Sequence, residues 1–306
     1  MTQRTPTPTW RSVPVRVDGR RMRVELMEAG LGDPLVFLHG WGLTPRAYAA
    51  SIVRLCPAGI RIIAPSLPGF GGSDPLPLRR LGLSGYARHV AATLEAAGLD
   101  KPAFLVGHSF GGGVALALAT ERPDLVRSLT LLNSIGGSPG RRGLKAGSWL
   151  GWALGALTEL NPRDALSLAP LVLRDFLPNA LRRPVSVGLT GLVAMTSGLA
   201  AEATALVDSG LPILFIWSDR DRLVAPGALA SVIGSLPTEI VQGRHGWLMA
   251  SPEQFAELLR NALTVHAMLE RRNRGQALVL PRGAALADLF PAERRRRARP
   301  RRAPRQ

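Results

Sequence analysis

A serine at position 109 sits in the string Gly107-His108-Ser109-Phe110-Gly111. That string fits the Gly-x-Ser-x-Gly pattern of a nucleophile held on a sharp turn between a strand and a helix. Its context sharpens it. The preceding run, Ala103 to Val106, reads as a buried strand, and Phe110 to Thr120 reads as an Ala/Leu-rich helix. A turn this tight needs neighbours without bulk, which Gly107 and Gly111 supply, and Gly112 and Gly113 let the helix pack closely. The turn also aims the hydroxyl at a helix N-terminus, where backbone N–H groups favour developing negative charge.

A serine hydroxyl needs a base to take its proton, and histidine suits that task because its ordinary pKa lies near neutrality. The chain has five histidines. His108 adjoins the serine, and the turn directs its side chain away from the hydroxyl. His89 and His266 fall inside predicted helices. His245 follows a late strand in a glycine-flanked loop, Gly243-Arg244-His245-Gly246. The base in turn needs an acid to fix its tautomer. Asp219 and Asp221 both lie just past a predicted strand, Ile213 to Trp217, whereas Asp208 precedes it.

With these residues the chain resembles the α/β-hydrolase family over roughly Val13 to Glu270. His39-Gly40-Trp41-Gly42 resembles the family's H-G-x loop, and Pro68-Gly69-Phe70-Gly71-Gly72-Ser73 its P-G-F-G-x-S loop. Ser218-Asp219-Arg220-Asp221 resembles the acid loop, and His245 with Pro252 seven residues later the terminal histidine segment. The order Ser, Asp, His is the one this fold requires. The resemblance implies Ser109, Asp221 and His245 as the catalytic triad, with Asp221 preferred over Asp219. It implies an oxyanion hole from the backbone N–H groups of Trp41 and Phe110, supported by His39, Gly40, Gly107 and Gly111. It implies no metal and no organic cofactor. Three departures stand out: Ser66 replaces a usual Asp, Arg244 a usual Gly, and Ala250 a frequent Glu.

The elements that must position these groups alternate along the chain. Val13 to Val17 and Met22 to Leu26 flank Asp18-Gly19 as a β-hairpin whose loop length Arg20 and Arg21 leave open. Strands are predicted at Leu35 to Leu38, Ile60 to Ala64, Ala103 to Val106, Ser128 to Leu132, Ile213 to Trp217 and Glu239 to Val241. Helices are predicted at Pro45 to Leu55, Ser84 to Gly98, Phe110 to Thr120, Pro226 to Ser235 and Pro252 to Glu270. Continuous apolar strands separated by helices predict an α/β fold: a mostly parallel central sheet with helices on both faces and an antiparallel hairpin at one edge. The core spans residues 1–134 and 210–270.

Between 135 and 209 the alternation fails. This stretch has helical patterns and bulky apolar residues, among them Trp149, Leu150, Trp152, Leu154, Leu157, Leu166 and Leu168. An insertion there would lie above the C-terminal strand ends, where open α/β sheets bind ligands, and it reads as a helical cap. The plainer reading is a peripheral helical subdomain without substrate contact.

The whole chain has 306 residues, 46% of them apolar, which suits one large domain with an insertion. Cys56 is the only cysteine, and no apolar leader precedes Pro14, so a cytoplasmic location is expected. The uncharged stretch Val185 to Ala201 is diluted by Gly, Ser and Thr and reads as a buried helical region. Net charge is +16, of which residues 271–306 carry +10 through 12 arginines against Asp288 and Glu293. That tail reads as disordered. Its Arg294 to Arg305 run could contact nucleic acid or an anionic membrane, although a solvated basic terminus is the plainer reading.

The expected activity is hydrolysis of a lipophilic carboxylic ester through an acyl-enzyme, with a small apolar molecule as the partner. C–C bond hydrolase, thioesterase and cofactor-free perhydrolase chemistry use the same triad. A binding protein of another class, without catalysis and tethered by its basic tail, is the competing expectation.

Overall fold

The computed structural model describes residues 5–136, 172–221, 223–224 and 237–273. Within them the chain forms β1 (Thr9–Val17), β2 (Arg20–Ala29), β3 (Asp33–Leu38), α1 (Ala49–Ile52), β4 (Ile60–Pro65), α2 (Leu83–Ala96), β5 (Ala103–His108), α3 (Phe110–Glu121) and β6 (Val126–Leu132). After a π-helical turn, Val172–Phe176, come α4 (Leu177–Arg182), α5 (Pro184–Thr196), α6 (Ala200–Asp208), β7 (Ile213–Ser218), β8 (Thr238–Val241), α7 (Trp247–Ala250) and α8 (Pro252–Asn273). The expected helix Pro226 to Ser235, the residues Trp149 to Leu168 and the basic tail beyond 273 lie outside the described residues.

The strands form one eight-stranded sheet in the order β1-β2-β4-β3-β5-β6-β7-β8. The pairs β1–β2 and β2–β4 are antiparallel and the other five are parallel. The edge hairpin closes on two residues, Asp18 and Gly19, both at positive φ (49° and 80°). Such a turn matches the strand twist, so β1 and β2 pair without a break from Val17 opposite Arg20 to Thr9 opposite Glu28.

The central strands are buried on both faces. Every residue of β5 and of β7 is buried, which is why they read as unbroken apolar runs rather than alternating ones. Residues of α2, α3, α5 and α6 pack on one face of the sheet. Residues of α1, α7 and α8 pack on the other. The helix expected from Pro45 to Leu55 is instead two 3₁₀ segments around the single turn α1. Pro57 lies inside the second segment and lacks an N–H, and Gly59 at φ 77° ends it.

Candidate active site

The parallel strands β5, β6, β7 and β8 bring their C-terminal ends to one edge, and the candidate residues gather there. Ser109 follows β5 directly and precedes α3. It holds φ 53° and ψ −116°, a conformation costly for a residue with a side chain. The turn is locked at several points. Ser109 N–H donates to the Leu132 carbonyl at 2.9 Å, and the Ser109 carbonyl accepts from Ile135 N–H at 3.2 Å. A Cβ at position 107 would meet the Gly111 carbonyl at 2.5 Å, and one at position 111 would meet the Leu38 carbonyl at 2.2 Å. Only glycine permits this approach of three backbone segments.

His245 sits in the loop after β8. Its Nδ1 lies 2.8 Å from Asp221 Oδ2, and both residues are buried. Asp221 follows β7 and is amply supplied with donors. Its Oδ1 accepts from Leu223 N–H at 2.8 Å and Val224 N–H at 2.9 Å. Its Oδ2 also accepts a short bond from Asn133 Nδ2. Burial works against the charge, but the bond and charge of His245, with the Val224 and Asn133 donors, outweigh it and hold the carboxyl below its ordinary pKa. An ionised carboxylate accepts only, so Nδ1 of His245 carries a proton. Asp219 faces elsewhere: its Oδ1 accepts from Gly243 N–H at 2.9 Å and braces the exit from β8.

Asn133 escaped the sequence reading. It follows β6 directly, at φ 43°, and is fully buried. Besides holding Asp221, it donates to Ser218 Oγ at 2.6 Å and accepts from Trp247 Nε1 at 3.1 Å. It thereby ties the acid loop to the helix just after His245.

His108 links the nucleophile turn to the base loop. Its Nε2 faces the His245 carbonyl at 3.2 Å, and its ring lies 4.9 Å from the His245 ring. A carbonyl only accepts, so Nε2 carries the proton and Nδ1 accepts from the Tyr48 hydroxyl at 2.8 Å. The Tyr48 oxygen accepts in turn from Gly40 N–H at 3.1 Å. One chain of bonds thus runs from the His39-Gly40-Trp41-Gly42 loop to the loop of His245. Burial, and then the neighbouring His245, push the His108 pKa well below its ordinary value and keep the ring neutral.

His39 is also fully buried. Its Nδ1–H donates to the Gly40 carbonyl at 2.9 Å, and its Nε2 accepts from Leu67 N–H at 2.8 Å. Burial drives its pKa down to about 4, so it acts as a neutral brace between two loops. Trp41 turns its ring toward the inserted helices: Nε1–H donates to the Val187 carbonyl at 2.8 Å, and the ring meets Phe176 at 5.3 Å.

The π-helical turn and α4 clamp the same loops from above. Asp175 accepts from Thr44 N–H at 2.7 Å and from Thr44 Oγ1 at 2.6 Å. Asn179 donates to the Gly42 carbonyl at 3.0 Å and accepts from Gly71 N–H at 2.9 Å. Where the family usually has Asp, the Ser66 hydroxyl donates at 3.1 Å to Glu25 of β2, which also accepts from Gly72 N–H at 3.3 Å and pairs with Arg46 at 2.6 Å. A carboxylate from the edge hairpin therefore serves the loop that lost one.

Residues 35–258 match the Alpha/beta hydrolase family, and the chain belongs to that family. It is an enzyme of hydrolase type. The chain is 31% identical over 258 residues to a pimeloyl-[acyl-carrier protein] methyl ester esterase of Yersinia pseudotuberculosis, covering 76% of this chain and 94% of that protein. It is 29% identical over 264 residues to a presumed non-heme haloperoxidase of Mycobacterium phage D29, covering 81% and 93%. Among solved structures, a thermophilic esterase from Thermogutta terrifontis superposes with a TM-score of 0.66 at 20% identity, covering 84% of this chain and 99% of that one.

Proposed function

We propose that this protein hydrolyses a carboxylic ester through an acyl-enzyme formed on Ser109. The observation that carries the reading is the strained Ser109 turn facing, through His108, a buried His245–Asp221 pair bonded at 2.8 Å.

In this reading Ser109 Oγ attacks the ester carbonyl while its proton passes to His245 Nε2. Asp221 holds Nδ1–H throughout and stabilises the imidazolium. The backbone N–H groups of Trp41 and Phe110 receive the oxyanion, and each such donor typically contributes about 10²–10³ in turnover. The tetrahedral intermediate expels the alcohol, which takes the proton from His245. Water, deprotonated by the same imidazole, then attacks the acyl carbon and releases the acid and free Ser109. Each step uses only these side chains, the two backbone N–H groups and water.

The acyl or alkyl group is proposed to be lipophilic. The support is compositional: Trp149, Leu150, Trp152, Leu154 and Leu157 fall in the insertion after β6, next in sequence to segments that clamp the candidate site. Each methylene buried in such a pocket contributes about 0.8 kcal/mol. A series of p-nitrophenyl esters from acetate to decanoate tests both parts. Turnover that vanishes in Ser109→Ala, with a specificity constant rising to a medium chain, is the expected result. A steady fall from acetate upward contradicts the lipophilic pocket. Activity that survives in Ser109→Ala contradicts the acyl-enzyme.

A further inference from the structure

The helix formed by the π-helical turn and α4 is amphipathic in the inverted sense. Asp175 and Asn179, four residues apart, share the face turned to the core loops and are buried. Leu173, Leu177 and Leu181 repeat at the same spacing on the opposite side, and they are 62%, 40% and 72% exposed. The pattern continues on α5. Its inner face carries Thr190, bonded at 2.8 Å to the Tyr86 hydroxyl, with Val187, Gly191 and Ala194. Its outer face carries Val185 and Leu192, 69% and 55% exposed. Only three residues separate Leu181 from Val185, so the two stripes border one another. Water is a poor match for such a surface, and apolar patches with a polar rim mark docking sites.

The charges around the leucines indicate the occupant. Arg174 and Arg182 are exposed and Arg183 is half-buried. Asp175 is the one acid between residues 172 and 196, and it is buried beneath Thr44. A second copy would bring the same three arginines against these. Leucines flanked by arginines, with no exposed acid between residues 172 and 196, match an anionic lipid surface. Among the described residues no single helix is long and apolar enough to cross a membrane.

We propose that the outer face of Val172–Thr196 docks on anionic lipid, with Leu173, Leu177, Leu181 and Val185 entering the acyl boundary and Arg174 and Arg182 meeting the headgroups. This places the inserted helices, and the loops they clamp, at the bilayer surface.

The test must separate this face from the Arg-rich tail, which could hold vesicles unaided. A nitrobenzoxadiazole label at Leu181→Cys in the full chain does so, because the native Cys56 is buried. With vesicles of equal phosphatidylglycerol and phosphatidylcholine, the label's emission is expected to shift to the blue and rise several-fold. Phosphatidylcholine alone should give a much weaker response. Replacing Arg174 and Arg182 with Ser should weaken the response about 25-fold, fivefold for each charge near the surface. Co-sedimentation with the label still in water would assign binding to the tail and overturn the proposal. A blue-shifted label without vesicles would overturn it too: in favour of a second copy if the shift grows with protein concentration, of a covering segment of the chain if it does not. Absence of binding would also overturn it. None of these readings needs Ser109 chemistry, so they stand apart from the ester assays.

Discussion

At the scale of single residues, the site is a set of groups whose protonation is fixed by what each partner can accept. Asp221 takes four donors, so Nδ1 of His245 must hold a proton. His108 faces a carbonyl, so it must give one. This explains why two neighbouring aspartates are not equivalent. Asp221→Asn offers His245 an amide N–H where the ring has an N–H of its own, which favours the wrong tautomer. Turnover of a p-nitrophenyl ester is expected to fall by roughly 10⁴, as in a related triad. Asp219→Asn disturbs only the β8 exit, and turnover should stay within about tenfold. A larger loss at Asp219 would show that the acid was misassigned. The pair Ser109 and His245 was legible because glycine-flanked loops after predicted strands have a signature. Asn133 was not: an Asn closing a strand looks like any turn residue until β6 and β7 lie side by side and aim its amide at Asp221.

At the scale of elements, the alternation of apolar runs and helical patterns announced the parallel sheet, because both its faces are covered. What the alternation hid were breaks set by single residues, as where Pro57 and Gly59 reduce an expected helix to short turns. Glu25 was hidden for a different reason. Its service to the Pro68–Ser73 loop depends on β2 pairing with β4, which brings position 25 beside Ser66. The elbow offers a contrast between two glycines. A methyl at Gly107 meets backbone, the Gly111 carbonyl at 2.5 Å and Gly112 Cα at 2.6 Å, so β5 and α3 must part. A methyl at Gly113 meets Ile135 Cγ1 at 2.8 Å and Cδ1 at 3.0 Å, atoms of a side chain that can turn away. Gly107→Ala should therefore cost about 1–3 kcal/mol by urea denaturation and remove most ester turnover, and Gly113→Ala should cost less on both counts. Equal effects would mean that the elbow is more pliant than its geometry indicates.

At the scale of the whole molecule, several histidines are folded in without charge. Burial lowers the pKa of His39 to about 4, of His89 to about 4 and of His266 to about 3. His89 Nε2 and His266 Nδ1 also lack a hydrogen-bond partner. Above about pH 6.5 these rings are neutral in both folded and unfolded chains, so they leave stability unchanged. Below it the unfolded chain binds protons that the folded chain refuses. Stability should then fall, each ring adding up to about 1.4 kcal/mol per pH unit, until the folded rings protonate, at about pH 4 for His39 and His89 and about 3 for His266. The Asp221 contribution is lost lower still, as pH falls below the ordinary carboxylate range through its depressed value. Urea midpoints at pH 7.5 and 5.5 check this, and equal midpoints would contradict it. Activation of Ser109 by this fold is read out by a fluorophosphonate probe at neutral pH, with the modified peptide located by mass spectrometry. Stoichiometric phosphonylation of Ser109 is expected in the wild-type chain and none in a folded Ser109→Ala variant; a wild-type chain that stays unmodified, or is modified at another residue, would rule out an activated Ser109.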